Sequence, residues 1–73
     1  MPLLLSPIGK EVVIEQCHAQ GNLKRHMEDL GLFPGERIIL VSENDGNLIL
    51  KVHETRLAIN QDLASKIYVQ TVS

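Results

Sequence analysis

The side chains of this sequence that could hold a metal ion are Glu15, Cys17, His18, His26, Asp29, His53 and Glu54. Metal sites in small domains draw their ligands at tight spacings such as CxxC or HxxxH, which bring the donor atoms onto one loop or one helix face. Neither spacing occurs here. Cys17 and His18 are adjacent, so on a strand they point to opposite faces. His26 and Asp29 lie at i, i+3 on a predicted helix and can meet. Two ligands alone hold a metal poorly against water, so this pair reads as a surface histidine beside a carboxylate. Cys17 reads as a small, half-buried hydrophobe. The expectation is no metal site and no cofactor.

Catalytic chemistry has less to stand on. Ser6, Ser42, Ser65 and Ser73 sit in no nucleophile motif. No glycine-rich loop with a Lys-Ser/Thr pair is present to cradle phosphates. The chain is therefore read as a non-enzyme. The only paired cations are Lys24–Arg25. In the first turn of a helix they oppose the positive end of its dipole. They read either as solvated charge or as groups facing an acidic partner surface or a phosphate. The net charge of −2, the seven scattered basic residues and the two aromatics, Phe33 and Tyr68, argue against nucleic acid as partner. Phosphate backbones call for a basic stripe, and single strands for stacking platforms.

Positioning these residues falls to one small domain spanning residues 1–73, with 44% hydrophobic residues, nearly all aliphatic. A chain of this size buries only about 60% of the surface it exposes when unfolded, so one compact aliphatic cluster must hold it. A single cysteine allows no internal disulfide, unlike small secreted domains. Met1-Pro2-Leu3-Leu4-Leu5-Ser6-Pro7 lacks a basic start and a long apolar stretch, so this segment is not expected to act as a signal peptide. Ile38–Val41 is far short of a membrane span. A cytoplasmic protein is expected, with any membrane association made through a partner.

Glu11–Cys17 is rich in β-branched residues and predicts a first strand. Leu23, Met27 and Leu30 fall at i, i+4, i+7, predicting a short helix with Asn22 as N-cap and Gly31 just past its end in a left-handed conformation. Leu32 would then touch Met27 across that helix end. Pro34–Gly35 breaks the chain. Residues 37–43 and 48–53 predict a hairpin with Asp45–Gly46 at its tip, because Asp-Gly suits the positive φ angles of a tight turn. Leu48, Leu50 and Val52 share one face of it. Arg56–Ile59 predicts a fourth strand, Asn60 caps one helical turn, and residues 66–71 give a fifth strand with Ile67 and Val69 on one face. Five short antiparallel strands and one short helix suggest a closed barrel, which removes exposed sheet edges. An open sheet covered on one face by the helix is the competing architecture.

Two blocks carry a family resemblance. The first is Lys24-Arg25-His26-Met27-Glu28-Asp29-Leu30-Gly31-Leu32-Phe33-Pro34-Gly35, and the second runs from Leu57-Ala58-Ile59 through Ala64 to Ile67-Tyr68-Val69. In this order and spacing, and at this length, the chain resembles the ferrous iron transport protein A (FeoA) family. Two departures stand out: His53-Glu54 where relatives often carry a glycine, and His26 where they often carry arginine. The resemblance implies a stand-alone SH3-like barrel, mainly β with one short helix. Proline-rich docking in the usual SH3 manner does not follow, since two aromatics cannot line the required groove.

The resemblance also implies a function. The chain would be a non-catalytic accessory or regulatory module of bacterial ferrous iron uptake, binding the cytoplasmic region of the large GTP-dependent membrane iron transporter (FeoB). The alternative is direct Fe²⁺ binding for delivery or sensing, and self-association through an uncovered edge is a third reading. The expected contact residues are Lys24, Arg25 and Phe33. Leu32 should cover the helix end and Pro34–Gly35 should turn the chain, so Phe33 between them either reaches solvent as an interaction hot spot or folds back as a lid on the core.

Overall fold

The computed structural model describes residues 1–72. A 3-10 turn at Leu3–Leu5 is followed by β1 (Glu11–Cys17), α1 (Gly21–Asp29), β2 (Arg37–Asn44), β3 (Asn47–Val52), β4 (Thr55–Ile59), α2 (Gln61–Ala64) and β5 (Ile67–Thr71). The strands form one antiparallel sheet in the order β4-β3-β2-β1-β5. Among the described residues no ladder joins β4 to β5, where α2 carries the chain across, so the hydrogen-bonded closure expected from the sequence is not made and the barrel keeps two sheet edges. None of the described helices is long and apolar enough to cross a membrane.

Local signals account for most of these elements. Asp45 and Gly46 both have positive φ, 54° and 83°, and Asn44 pairs with Asn47 across them, so the β2–β3 hairpin closes with a type I′ turn. Leu48, Leu50 and Val52 all point into the core. The Asn60 side chain accepts a 2.8 Å bond from the Leu63 amide and caps α2. Ile67 and Val69 are fully buried on β5. Leu30 and Leu57 pack against the core while remaining half-exposed.

Three further features differ from the sequence expectation. First, Asn22 does not cap α1. Extended Gln20 occupies the cap position without a side-chain bond, and Gly21, at φ 61°, lets the chain turn into the helix at once. Lys24 and Arg25 therefore lie beyond the first turn, where the dipole penalty fades. Second, the N-terminal segment is part of the core. Leu3 is completely buried, and Met1 exchanges two 2.7 Å backbone bonds with Val69. Third, two ladders carry bulges. The extra residues are Glu15 in β1 and Val41 in β2.

Candidate functional site

A bulge, a helix end and a turn build one small apolar slot. Val12 and Ile14 face the core from β1. Strict alternation would send Gln16 inward after them, but the Glu15 bulge shifts the phase by one residue. Gln16 is exposed and Cys17 instead packs against the core. At the far end of α1 the Leu32 amide donates to the Met27 carbonyl (2.8 Å) and the Gly31 amide to that of Glu28 (3.0 Å), with Gly31 at φ 87°. This 6→1 and 5→2 pair of bonds is a Schellman motif. It buries both Met27 and Leu32 to 1% exposure.

The next four residues fix Phe33. The Glu36 amide donates to the Phe33 carbonyl (3.2 Å) across Pro34 and Gly35, the latter at φ 95°. Proline followed by a positive-φ glycine is the signature of a type II turn. Two 2.8 Å bonds with Ile14, from the Gly35 amide and to the Glu36 carbonyl, pin that turn to β1. Phe33 is thus held on a rigid corner with 39% of its surface exposed. It does not close over the core as a lid.

Cys17, Met27, Leu32 and Phe33 line the resulting slot of about 310 Å³, with Lys24 and Glu28 at its rim. That volume sits at the lower end of the range for small-molecule sites and suits one or two inserted side chains. Lys24 and Phe33 are therefore brought together, while Arg25 is exposed and off the slot wall. Neither cation forms an ion pair among the described residues. The Cys17 Sγ donates a long 3.7 Å bond to the Leu32 carbonyl. Burial pushes its pKa up, which keeps it a neutral thiol and a poor nucleophile.

The other candidate ligands are dispersed. His18 diverges from Cys17 and stacks edge-on against Tyr68, with ring centroids 4.8 Å apart. His26 and Asp29 form no ion pair among the described residues. The histidine–carboxylate contact that does form is His53 Nε2 to Glu36 Oε2, at 2.7 Å. It lies on a charged cleft with Glu11, Arg37 and Lys51, where Arg37 also reaches Glu11 at 3.3 Å. His53 has φ 57° at the first of the two residues joining β3 to β4, a position where such a turn ordinarily asks for glycine. Among the described residues no three His, Cys, Asp or Glu side chains converge to hold a metal ion.

A five-stranded antiparallel sheet with one short helix and a one-turn helix between its last two strands defines a small SH3-like β-barrel. The sequence pattern of the FeoA domain family matches residues 1–71, and the chain belongs to that family, which serves ferrous iron transport. It is similar to the crystal structure of an iron uptake regulatory protein (FeoA) at 27% identity and TM-score 0.83, covering 96% of this chain and 93% of that one. It is also similar to FeoA of Stenotrophomonas maltophilia complexed with zinc, described as an SH3 domain protein, at 26% identity and TM-score 0.79, covering 96% and 89% of the two chains. A manganese-dependent transcriptional repressor shares the fold alone: TM-score 0.88 at 13% identity, over 99% of this chain and 41% of that one. No curated protein sequence matches the chain.

Proposed function

We propose that this protein is a non-catalytic accessory module of ferrous iron uptake that docks on the cytoplasmic region of the FeoB-type GTP-dependent iron transporter. The contact surface is the slot at the end of α1. Phe33 is the anchor, Lys24 supplies attraction to an acidic partner surface, and Arg25 adds to that charge from the neighbouring helix face. One observation carries the reading: an aromatic side chain is presented to solvent on a corner fixed by three backbone hydrogen bonds, beside an apolar slot and a cation without an ion pair among the described residues. Rigid, partly exposed aromatics in such surroundings lose little entropy on binding and make effective hot spots.

A pull-down with the transporter's soluble cytoplasmic region, with and without guanine nucleotide, tests this directly. Retention by the wild-type chain, with weaker retention of Lys24→Glu/Arg25→Glu that depends on salt, is the expected result. Undiminished retention of that variant and of Phe33→Ala would remove this region from the interface. Stoichiometric Fe²⁺ binding in anaerobic calorimetry, lost in Cys17→Ala or His26→Ala, would favour direct iron delivery instead.

A further inference from the structure

The two ends of the sheet are finished differently. At β5, the Met1 segment lies along the outer edge. Its amine and carbonyl bond Val69 at 2.7 Å each, and Pro2 bridges Tyr68. At β4, nothing among the described residues plays that part. The β3–β4 pairing runs Val52↔Thr55, Lys51↔Arg56, Leu50↔Leu57, Ile49↔Ala58, Leu48↔Ile59 across a two-residue turn. In such a hairpin the closing pair and every second pair after it exchange hydrogen bonds. Thr55, Leu57 and Ile59 therefore turn their backbone groups toward β3. Arg56 and Ala58 turn theirs outward, leaving four backbone donors and acceptors on two exposed residues unmet among the described residues.

The side chains around that edge select what can pair with it. Lys51 and Arg56 are directly opposite each other on the outer face, both exposed and neither in an ion pair among the described residues. Like charges placed so repel each other across a ladder, and an incoming carboxylate relieves them. Beyond the edge, on the inner side, a shallow groove runs between β4 and α1. Leu30 and Leu57 floor it, and Glu28 and Asp29 stand on its α1 wall. An apolar residue suits that side, where a carboxylate would meet two others.

We propose that the outward edge of β4 accepts an extended acidic segment of a partner protein as an added strand, with carboxylates facing Lys51 and Arg56 and aliphatic side chains facing Leu57 and Leu30. The added strand takes its main-chain bonds from Arg56 and Ala58, and the alternation of acidic and apolar residues sets which of its faces turns outward. This surface adjoins the Phe33 slot only at Glu28, which lines both, and it stands whether or not the slot binds the transporter.

The probe is an end-capped hexapeptide of alternating Glu and Val, titrated into the ¹⁵N-labelled full chain. The Arg56 and Ala58 amides should shift and their hydrogen exchange should slow, and affinity should fall as salt is raised. The same peptide with Lys for Glu should not bind. Ala58→Pro removes one outward N–H from an edge strand, where proline is tolerated, and should abolish binding while the rest of the amide spectrum stays in place. Lys51→Glu/Arg56→Glu should weaken binding by about tenfold or more, and Phe33→Ala should leave it unchanged. Absence of binding, equal binding of the Lys peptide, or full binding by Ala58→Pro would overturn the proposal. So would protection of Arg56 and Ala58 that grows with chain concentration without peptide, which would assign the edge to a second copy of the chain.

Discussion

The Phe33 slot and the His53 cleft are both concave, and they differ in what their side chains have left to offer. In the cleft, Arg37 is already with Glu11 and His53 with Glu36. In the slot, Phe33 is partly exposed, Lys24 is without an ion pair among the described residues, and the thiol of Cys17 makes only one long bond. Apart from Lys51, which is without an ion pair among the described residues, a partner at the cleft must first displace contacts the protein makes with itself. A partner at the slot gains apolar contact and a salt bridge without that loss. Charge density alone would have pointed to the cleft, whereas residual valence points to the slot.

Variants that dismantle one region and spare the other sharpen this contrast. The largest effect belongs to the slot floor. Leu32→Ala should cost about 2–5 kcal/mol of folding stability, as full burial of a leucine dictates, and chemical denaturation will show it. Gly31→Ala comes next, at about 1 kcal/mol or more. Its φ of 87° resists a side chain, and an added Cβ would lie 3.3 Å from Val52 Cγ1. An unchanged denaturation midpoint would mean the Schellman end does not hold the slot.

The cleft should respond in the opposite direction. His53→Gly relieves a left-handed residue, a conformation costing about 1–2 kcal/mol, and loses an exposed histidine–carboxylate contact of about 0.2–1 kcal/mol. A net gain of about 0.5–1 kcal/mol in denaturation, with transporter binding unchanged, is expected. A loss of binding would make the cleft part of the interface.

The smallest effect is that of pH on Cys17. Burial raises its folded-state pKa above the ordinary 9.0, so the unfolded chain releases that proton first. Stability from this group is intact below pH 9.0 and declines as pH rises through the raised value. Wild type should lose stability relative to Cys17→Ala across that alkaline range, and parallel curves would show that the thiol is not buried at the slot.

Much of this architecture is readable residue by residue. Asp45–Gly46, Gly31 and Asn60 announce their turn, helix end and cap through local chemistry, which needs no knowledge of the rest of the chain. The bulges at Glu15 and Val41 are another matter, because they are settled by how distant strands pair. Without the Val41 bulge, counting back from Asn44↔Asn47 misplaces β2 against β3 by one residue near Glu36 and His53. Without the Glu15 bulge, Cys17 faces away from Leu32. Leu3 was hidden differently: three leucines at a chain start say nothing about plugging a barrel until β5 offers Val69 to bond Met1. The exposure of Phe33 was half legible, since its neighbours were visibly committed, but the type II turn that fixes it also depends on Ile14.

The central claim is that Phe33 serves binding more than folding. The decisive measurement is the affinity of Phe33→Ala for the transporter's soluble cytoplasmic region, set beside its denaturation midpoint. The predicted result is binding weakened by at least about tenfold, equivalent to about 1.4 kcal/mol, with a folding cost of only about 1 kcal/mol, well below the ~3–5 kcal/mol of a fully buried phenylalanine. Wild-type affinity in a variant destabilised by about 3 kcal/mol or more would contradict it and make Phe33 a core residue.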